Sequence, residues 1–434
     1  MTTFTALIAK RKRKLLFSAV FSVLLLVVSY FIANLPIPLG GEKNLLRKVE
    51  IRQKFNRHEE YGYLDSVLFV NVAYDKVINP NPARVSDSIV GHCAITDRRK
   101  LLTLLQYLSD SVEYKYILLD VFFDYEMGPT EYDAELFATI HSMENIVIAN
   151  HQRKRLVNND LLTPKAGIAD YKQSYFKVGF SKYPYLLKSV TNPSVPDTSL
   201  PLKMYKEITG REIKKRGPFY MDGNHLAKNC VFLPMEVAAD SMYSKEGQKI
   251  WHNLGMDLLG DTAVIRIGDI SIPHIGKAAL YDKANPTRGK YIVIGAFDGD
   301  DEHFTYKGDV PGPVINYCAF SALVKGYHII RFGYVMALFL LFFSLAYVIL
   351  CKEQIKDSAA NSSNKLIQKL CKTLLLLSSW ISYATVLAVF CVVCYLCFGE
   401  AHEILVTSTL FYCLSKCVKP NKKHLLWKVR KRKS

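Results

Sequence analysis

The sequence predicts an α/β domain with a largely parallel sheet flanked by helices, joined to an α-helical transmembrane region of one N-terminal span and about three C-terminal spans. Two observations predict it. Between residues 67 and 149, short wholly apolar runs alternate with segments of helical period, the pattern of a parallel sheet with crossover helices. Charge-free hydrophobic segments stand at both ends of the 434-residue chain and enclose residues 36–330.

The first of these segments, Leu15 to Leu35, has no Asp, Glu, Lys or Arg over 21 residues. Phe332 to Cys351 has none over 20 and Thr373 to Gly399 none over 27. At ~1.5 Å per residue each is long enough for a hydrocarbon core of ~30 Å. A shorter run, Ile404 to Ser415, completes a span over 402–418 if Lys416 snorkels and Glu403 stays among the headgroups. Lysine and arginine fill 10–14 and recur from Lys416 to Lys433. Cytoplasmic flanks carry that excess, so a fourth crossing places both termini in the cytoplasm.

The expected order is a cytoplasmic N-terminus (1–14), a span (15–35), an extracytoplasmic domain (36–330), a span (332–351), a cytoplasmic loop (352–372), spans over 373–399 and 402–418, and a cytoplasmic tail (419–434). The expected location is the cytoplasmic (inner) membrane, with the domain in the periplasm. The first span ends in Ala33-Asn34-Leu35-Pro36, which lacks the small-residue spacing of a cleavage site and reads as an uncleaved anchor.

Within the domain, Glu42 to Glu60 is charged and helix-compatible, with Leu45, Leu46, Val49 and Phe55 as its apolar stripe. Val67 to Asp75 is a continuous apolar run, as a strand buried on both faces requires. A helix follows to about Asp110, opened by Thr96 or Asp97 as cap and burying Leu101, Leu102, Leu104, Leu105 and Leu108. Tyr116 to Val121 reads as a second strand, Glu131 to Met143 as a second helix burying Leu136, Phe137 and Ile140, and Ile146 to Ala149 as a third strand. Residues 151–260 are rich in Lys, Tyr and Pro and fit loops, short helices and an antiparallel excursion. Thr262 to Ile267 and Lys290 to Ala296 read as further strands. Gly312 to Lys325 reads as an amphipathic helix that runs almost directly into the second span.

The net charge of +17 does not point to nucleic acid. Outside residues 1–35, 352–372 and 399–434, 37 basic residues face 35 acidic ones. The excess therefore lies in segments expected at the cytoplasmic face, where it sets topology and attracts anionic membrane lipid. Of the ten cysteines, Cys93, Cys230 and Cys318 lie in the domain. They allow at most one internal disulfide, with the pair left open. Cys391, Cys394 and Cys397 fall on one helical stripe inside an apolar span, which favours packing of small side chains over metal or redox chemistry.

Asp75, Asp120, Asn150 and Asp298 end or closely follow buried strands. In an open parallel sheet, ligands bind outside the carboxyl ends of the strands, so these groups can converge on one crevice. They can equally cap turns and helices. The run from Asp298 to Glu302 lacks the glycine and distal glutamate of a calcium loop and reads as a solvated turn. The domain contains no H-E-x-x-H, G-x-S-x-G, Walker A or G-x-G-x-x-G pattern. His225, His252, His274 and His303 are scattered without ligand spacing. No cofactor and no catalytic residue is expected.

In order and spacing these residues resemble the CHASE-type extracytoplasmic sensor domains of the second type. The similarity rests on Val72-Ala-Tyr-Asp75, Arg98 opening a helix, Leu119-Asp120-Val-Phe-Phe123, Asp133 opening the next helix, Gly289 to Gly295, Asp301, Pro311-Gly312 and Ala319. It spans about residues 65–330 and the hydrophobic spans that follow. Thr96-Asp97 stands where the family commonly has Trp-Pro, and residues 76–95 are longer than usual. Together with the strand-end reading, which adds Asp298, the resemblance gives a candidate ligand site drawing on Asp75, Arg98, Asp120, Asp133, Asp298 and Asp301; the last helix, nearly joined to the second span, gives a relay through Gly312, Ala319 and Gly326.

The leading expectation is a membrane-anchored sensor that binds a ligand or envelope partner and informs a separate membrane or cytoplasmic output protein. A non-switching scaffold for envelope proteins is the alternative, and an enzyme using the acidic strand ends is a third.

Overall fold

The computed structural model describes residues 2–35, 67–82, 89–111, 113–151, 155–169, 182–185, 198–232, 251–253, 289–297, 301–305, 308–361, 364–366, 368–369, 379–398, 400 and 402–418. The readings placed on Glu42 to Glu60, Thr262 to Ile267, Asp298 and residues 419–434 lie outside them. The described residues fall into two compact units: one from 67 to 329, and one comprising α1 (Thr2–Ala33) with residues 330–418.

The first unit is mixed α/β around a parallel sheet. Its strands are β1 (Val67–Asn71), β4 (Tyr116–Asp120), β5 (Ile146–Asn150), β6 (Ala166–Ile168), β12 (Trp251–Asn253) and β13 (Tyr291–Gly295). They lie in the order β12-β1-β13-β4-β5-β6 and pair in parallel throughout. Every residue of β1, β4 and β5 is buried. Successive side chains of a strand point to opposite faces, so both faces need an apolar cover. Leu68, Val70, Ile117, Leu119, Ile146 and Ile148 meet α2 (Arg98–Ser111) and α3 (Asp133–Ser142) through Leu101, Leu105, Leu136 and Ile140. Val67, Phe69, Tyr116, Leu118 and Val147 join a second core with Leu200, Met204, Val314, Ile315 and Leu323. These last residues belong to α5 (Leu200–Thr209) and α6 (Gly312–Val324). Each fully buried aliphatic side chain contributes ~1.5–3 kcal/mol. The helices therefore sandwich the sheet in three layers.

Two expectations are corrected. The strand expected over Val67 to Asp75 stops at Asn71, because Asn71 Oδ1 turns back to accept the amides of Ala73 at 3.0 Å and Phe297 at 3.1 Å. The chain then forms an antiparallel hairpin, β2 (Lys76–Pro82) with β3 (Ile89–Thr96). The α6 helix is not amphipathic. Every residue from Gly312 to Phe320 is buried, and Val324 is its exposed hydrophobic end. It lies against the sheet on one side and α5 on another, so no face is left for water.

Asp97 caps α2 as expected, its Oδ1 accepting from the amides of Arg99 at 3.0 Å and Lys100 at 3.2 Å. A short α4 (Asn159–Leu162) follows β5 and precedes β6. The antiparallel excursion is a meander of β8 (Ile213–Arg216), β9 (Phe219–Asp222) and β10 (His225–Ala227). Two smaller ribbons pair β7 (Lys182–Pro184) with β11 (Cys230–Phe232) and β14 (Glu302–Thr305) with β15 (Gly308–Pro311). Cys93, Cys230 and Cys318 are free thiols.

The second unit contains three helices long and apolar enough to cross a membrane: Arg11–Ala33 within α1, α7 (Phe332–Leu350) and α9 (Trp380–Phe398). Between α7 and α9 lies α8 (Lys352–Asn361), and after α9 comes α10 (Ile404–Cys417). At ~1.5 Å per residue the 14 residues of α10 fall short of a ~30 Å core. Leu25, Phe342, Leu387 and Phe411 form the shared interior. Cys391 and Cys394 are buried there, and Cys391 Sγ accepts the His402 amide at 3.4 Å, whereas Cys397, the third member of the expected packing stripe, is exposed.

Candidate functional site

The parallel strands end together, and the site is built on those ends. Strand β13 enters between β1 and β4, with Gly295 beside Asn71 on one side and Asp120 on the other. A later strand inserted between earlier neighbours marks the change of direction at which open sheets form a crevice. Gly295 is required there by close approach. A Cβ on it would lie 2.4 Å from Pro313 Cγ and 3.2 Å from Asp120 Cβ.

Asp120 is the centre of the arrangement and is 6 % exposed. Its Oδ1 lies 2.7 Å from His151 Nε2, just beyond β5, and its Oδ2 accepts from Asn316 Nδ2 of α6 at 2.9 Å. The His151 ring stacks on Phe122 at 4.0 Å between centroids. Burial pushes the His151 imidazole down, but the charge and hydrogen bond of Asp120, with Asp301 and Asp124 behind it, outweigh burial and hold its pKa above the ordinary value. Asp301 adds a second carboxylate, its Oδ1 3.0 Å from His303 Nε2. Burial raises its pKa and the charge of Asp120 adds to the rise, opposed by His303 and His151. Two acids and two imidazoles thus share one electrostatic field across the ends of β4, β5 and β13.

Arg98 and Asp133 form a second group. Arg98 is 2 % exposed, donates from Nη2 to the Phe122 carbonyl at 2.7 Å and lies 4.3 Å over the Phe123 ring. Its Nε is 3.8 Å from Asp133 Oδ1. Asp133 also accepts from the Thr130 amide at 3.0 Å and hydroxyl at 2.7 Å. Desolvation lowers the Arg98 pKa to about 10 against the pull of Asp133 and then Cys93. This pair fixes the loop from 121 to 133. Asp75 pairs with Lys100 Nζ at 2.7 Å.

The candidate residues therefore divide. Asp120 acts on Asp301 through its charge, Arg98 pairs with Asp133, and Asp75 serves Lys100. Gly312 and Ala319 are buried in α6. Gly326 takes φ +74° in the turn that ends it. His151 and Asn316 are additional members of the site. Their signals in the sequence are a histidine directly after a buried strand and a lone amide in an otherwise apolar helix.

Between the loop leaving β4 and the loop leaving β5 lies a cavity of about 650 Å³, with Thr130, Asp133 and Arg155 on its wall, a volume that suits a small ligand. Among the described residues no group of three or more His, Cys, Asp or Glu is placed to hold a metal ion. No family model matches the chain, and neither a curated protein nor a solved structure is similar to it at a significant level.

Proposed function

We propose that this protein is a membrane-anchored sensor, whose α/β domain binds a ligand or an envelope partner outside the cytoplasmic membrane and informs a separate membrane or cytoplasmic protein through its helices. The observation that carries this reading is the grip of Asn316 on Asp120 at 2.9 Å. It ties the ligand end of the sheet to α6, and only residues 325–331 separate α6 from α7 in the chain. A change at the strand ends thereby has a covalent route to a membrane helix.

Topology supports the same reading. Lys14 Nζ of α1 donates to Gln354 Oε1 of α8 at 3.1 Å, so the basic start of the first span and the segment after the second share one side. The positive-inside rule favours that side as the cytoplasmic one, which supports a periplasmic domain. The basic flanks would also hold anionic lipid. Reporter fusions after Lys14 and Lys365 should read cytoplasmic and one after Asn192 extracytoplasmic. A cytoplasmic reading at Asn192 would overturn the proposal.

A further inference from the structure

The 650 Å³ cavity carries charges that its own walls leave unused. Asp133 is engaged by Arg98 and Thr130. Arg155 is exposed, with its guanidinium 5.1 Å over the Tyr125 ring, and among the described residues no carboxylate meets it. The Tyr125 amide donates to the Arg155 carbonyl at 2.9 Å, which fixes the backbone beneath that side chain. Asp160, also on the wall, makes no hydrogen bond or ion pair among the described residues. Pro129, Ala134 and Val157 supply an apolar wall.

One free guanidinium and one free carboxylate restrict what can enter. A simple anion would suit Arg155 but be repelled by Asp160, and a simple cation would meet the reverse. A neutral apolar molecule would strip water from both charges without replacing it, at a cost. A molecule carrying both charges satisfies both groups. Its carboxylate accepts the paired guanidinium donors. Its ammonium, with three donors, serves Asp160. The remainder lies on the apolar wall.

We propose that this cavity binds a small zwitterion of the α-amino-acid class. The inference rests on the sensor reading, since it names the ligand of that domain. It assigns Arg155 and Asp160 as the specificity-determining pair.

The full-length protein in detergent micelles should be melted against a panel of α-amino acids, each accompanied by its decarboxylated amine and its deaminated acid. At least one amino acid should raise the melting temperature, with its amine and acid analogues weaker by about tenfold or more in half-saturation. Arg155→Ala and Asp160→Asn should each abolish the shift. Both side chains are exposed, so the ligand-free melting temperature should stay the same. The proposal is overturned if no amino acid shifts the melt, or if a shift survives in the double variant. A second panel of sugars, nucleotides and dicarboxylates separates the two readings. Stabilisation by one of these alone overturns the zwitterion class and leaves the sensor standing, and silence from both panels overturns the zwitterion class while leaving the sensor reading to an envelope partner.

Discussion

His328 Nε2 lies 3.0 Å from Asp222 Oδ2, with the imidazole fully buried and the carboxylate 3 % exposed. Tyr205 donates to the same oxygen at 2.9 Å, and the Lys228 amide donates to the His328 carbonyl at 2.9 Å. Strand β9, helix α5 and the turn after α6 are thereby fastened at one point. Asp222, Tyr205, Lys228 and Arg211 are the ionisable groups acting on the ring.

Burial lowers the His328 pKa below its ordinary 6.5, outweighing the upward pull of Asp222. The folded state thus holds the ring neutral while the unfolded chain takes up a proton as pH falls. The sign follows from linkage: this contribution to stability is complete above pH 6.5 and is lost as pH falls from there toward the folded value. His328→Gln should shrink the drop in melting temperature between about pH 7.5 and about pH 5.5. An unchanged drop would show that another group controls it. His328→Ala, which withdraws a partner from a buried carboxylate, should cost ~1–3 kcal/mol in denaturant unfolding.

Gly295→Ala should destabilise the domain although it adds one methyl group. Pro313 opens α6 and its ring cannot swing aside, so the added Cβ must move either the helix or the end of β4. Overpacking of this kind costs ~1–3 kcal/mol. A melting temperature equal to that of the parent protein would mean that the crevice is looser than its contacts imply.

The parallel strands and the helices α2 and α3 were legible because both periods act in sequence: runs such as Tyr116-Ile-Leu-Leu bury both faces, and leucines at helical spacing bury one. The β2–β3 hairpin was not, since Pro80 and Pro82 sit where strand propensity reads them as breakers. The meander holds short strands whose exposed faces are Lys and Arg, such as Lys214 to Arg216, leaving little apolar alternation to read. Of the site, the acids at strand ends were visible as candidates. Which acid meets which partner was not, because pairs such as Asp120 with Asn316 join residues 196 positions apart.

Asp120→Asn should change His151 more than it changes the fold. The carboxylate is what holds the imidazole above its ordinary pKa, and with an amide in its place burial is left to push the ring down. A raised histidine pKa contributes stability below the unfolded value of 6.5 that disappears as pH rises through the folded value. The variant should therefore lose more stability at mildly acidic than at alkaline pH. Asp301 should titrate lower, since the charge of Asp120 is one of the groups that raise it. Histidine-selective NMR titration reads the first effect directly, and an unmoved His151 resonance would mean that Asp120 does not control it.

The connection from α6 to α7 gives the test of relay. The Gly326 amide donates to the Leu323 carbonyl, the Tyr327 amide to Ala322 and the Ile329 amide to Gly326, at 2.9, 2.9 and 3.0 Å. With Lys228 and Asp222 holding His328, residues 326–329 form a clamped turn rather than a hinge. An insertion after Gly326 would break that clamp and confuse unfolding with uncoupling. A Gly-Ser insertion between Ile330 and Arg331 leaves it intact while adding slack before Phe332. The domain should then melt as in the parent protein, whereas any condition-dependent change in crosslinks from Lys365 to a neighbouring protein should vanish. Crosslinks that keep their dependence despite the slack would rule out a mechanical route through α6, because a flexible connection transmits neither translation nor rotation of a helix.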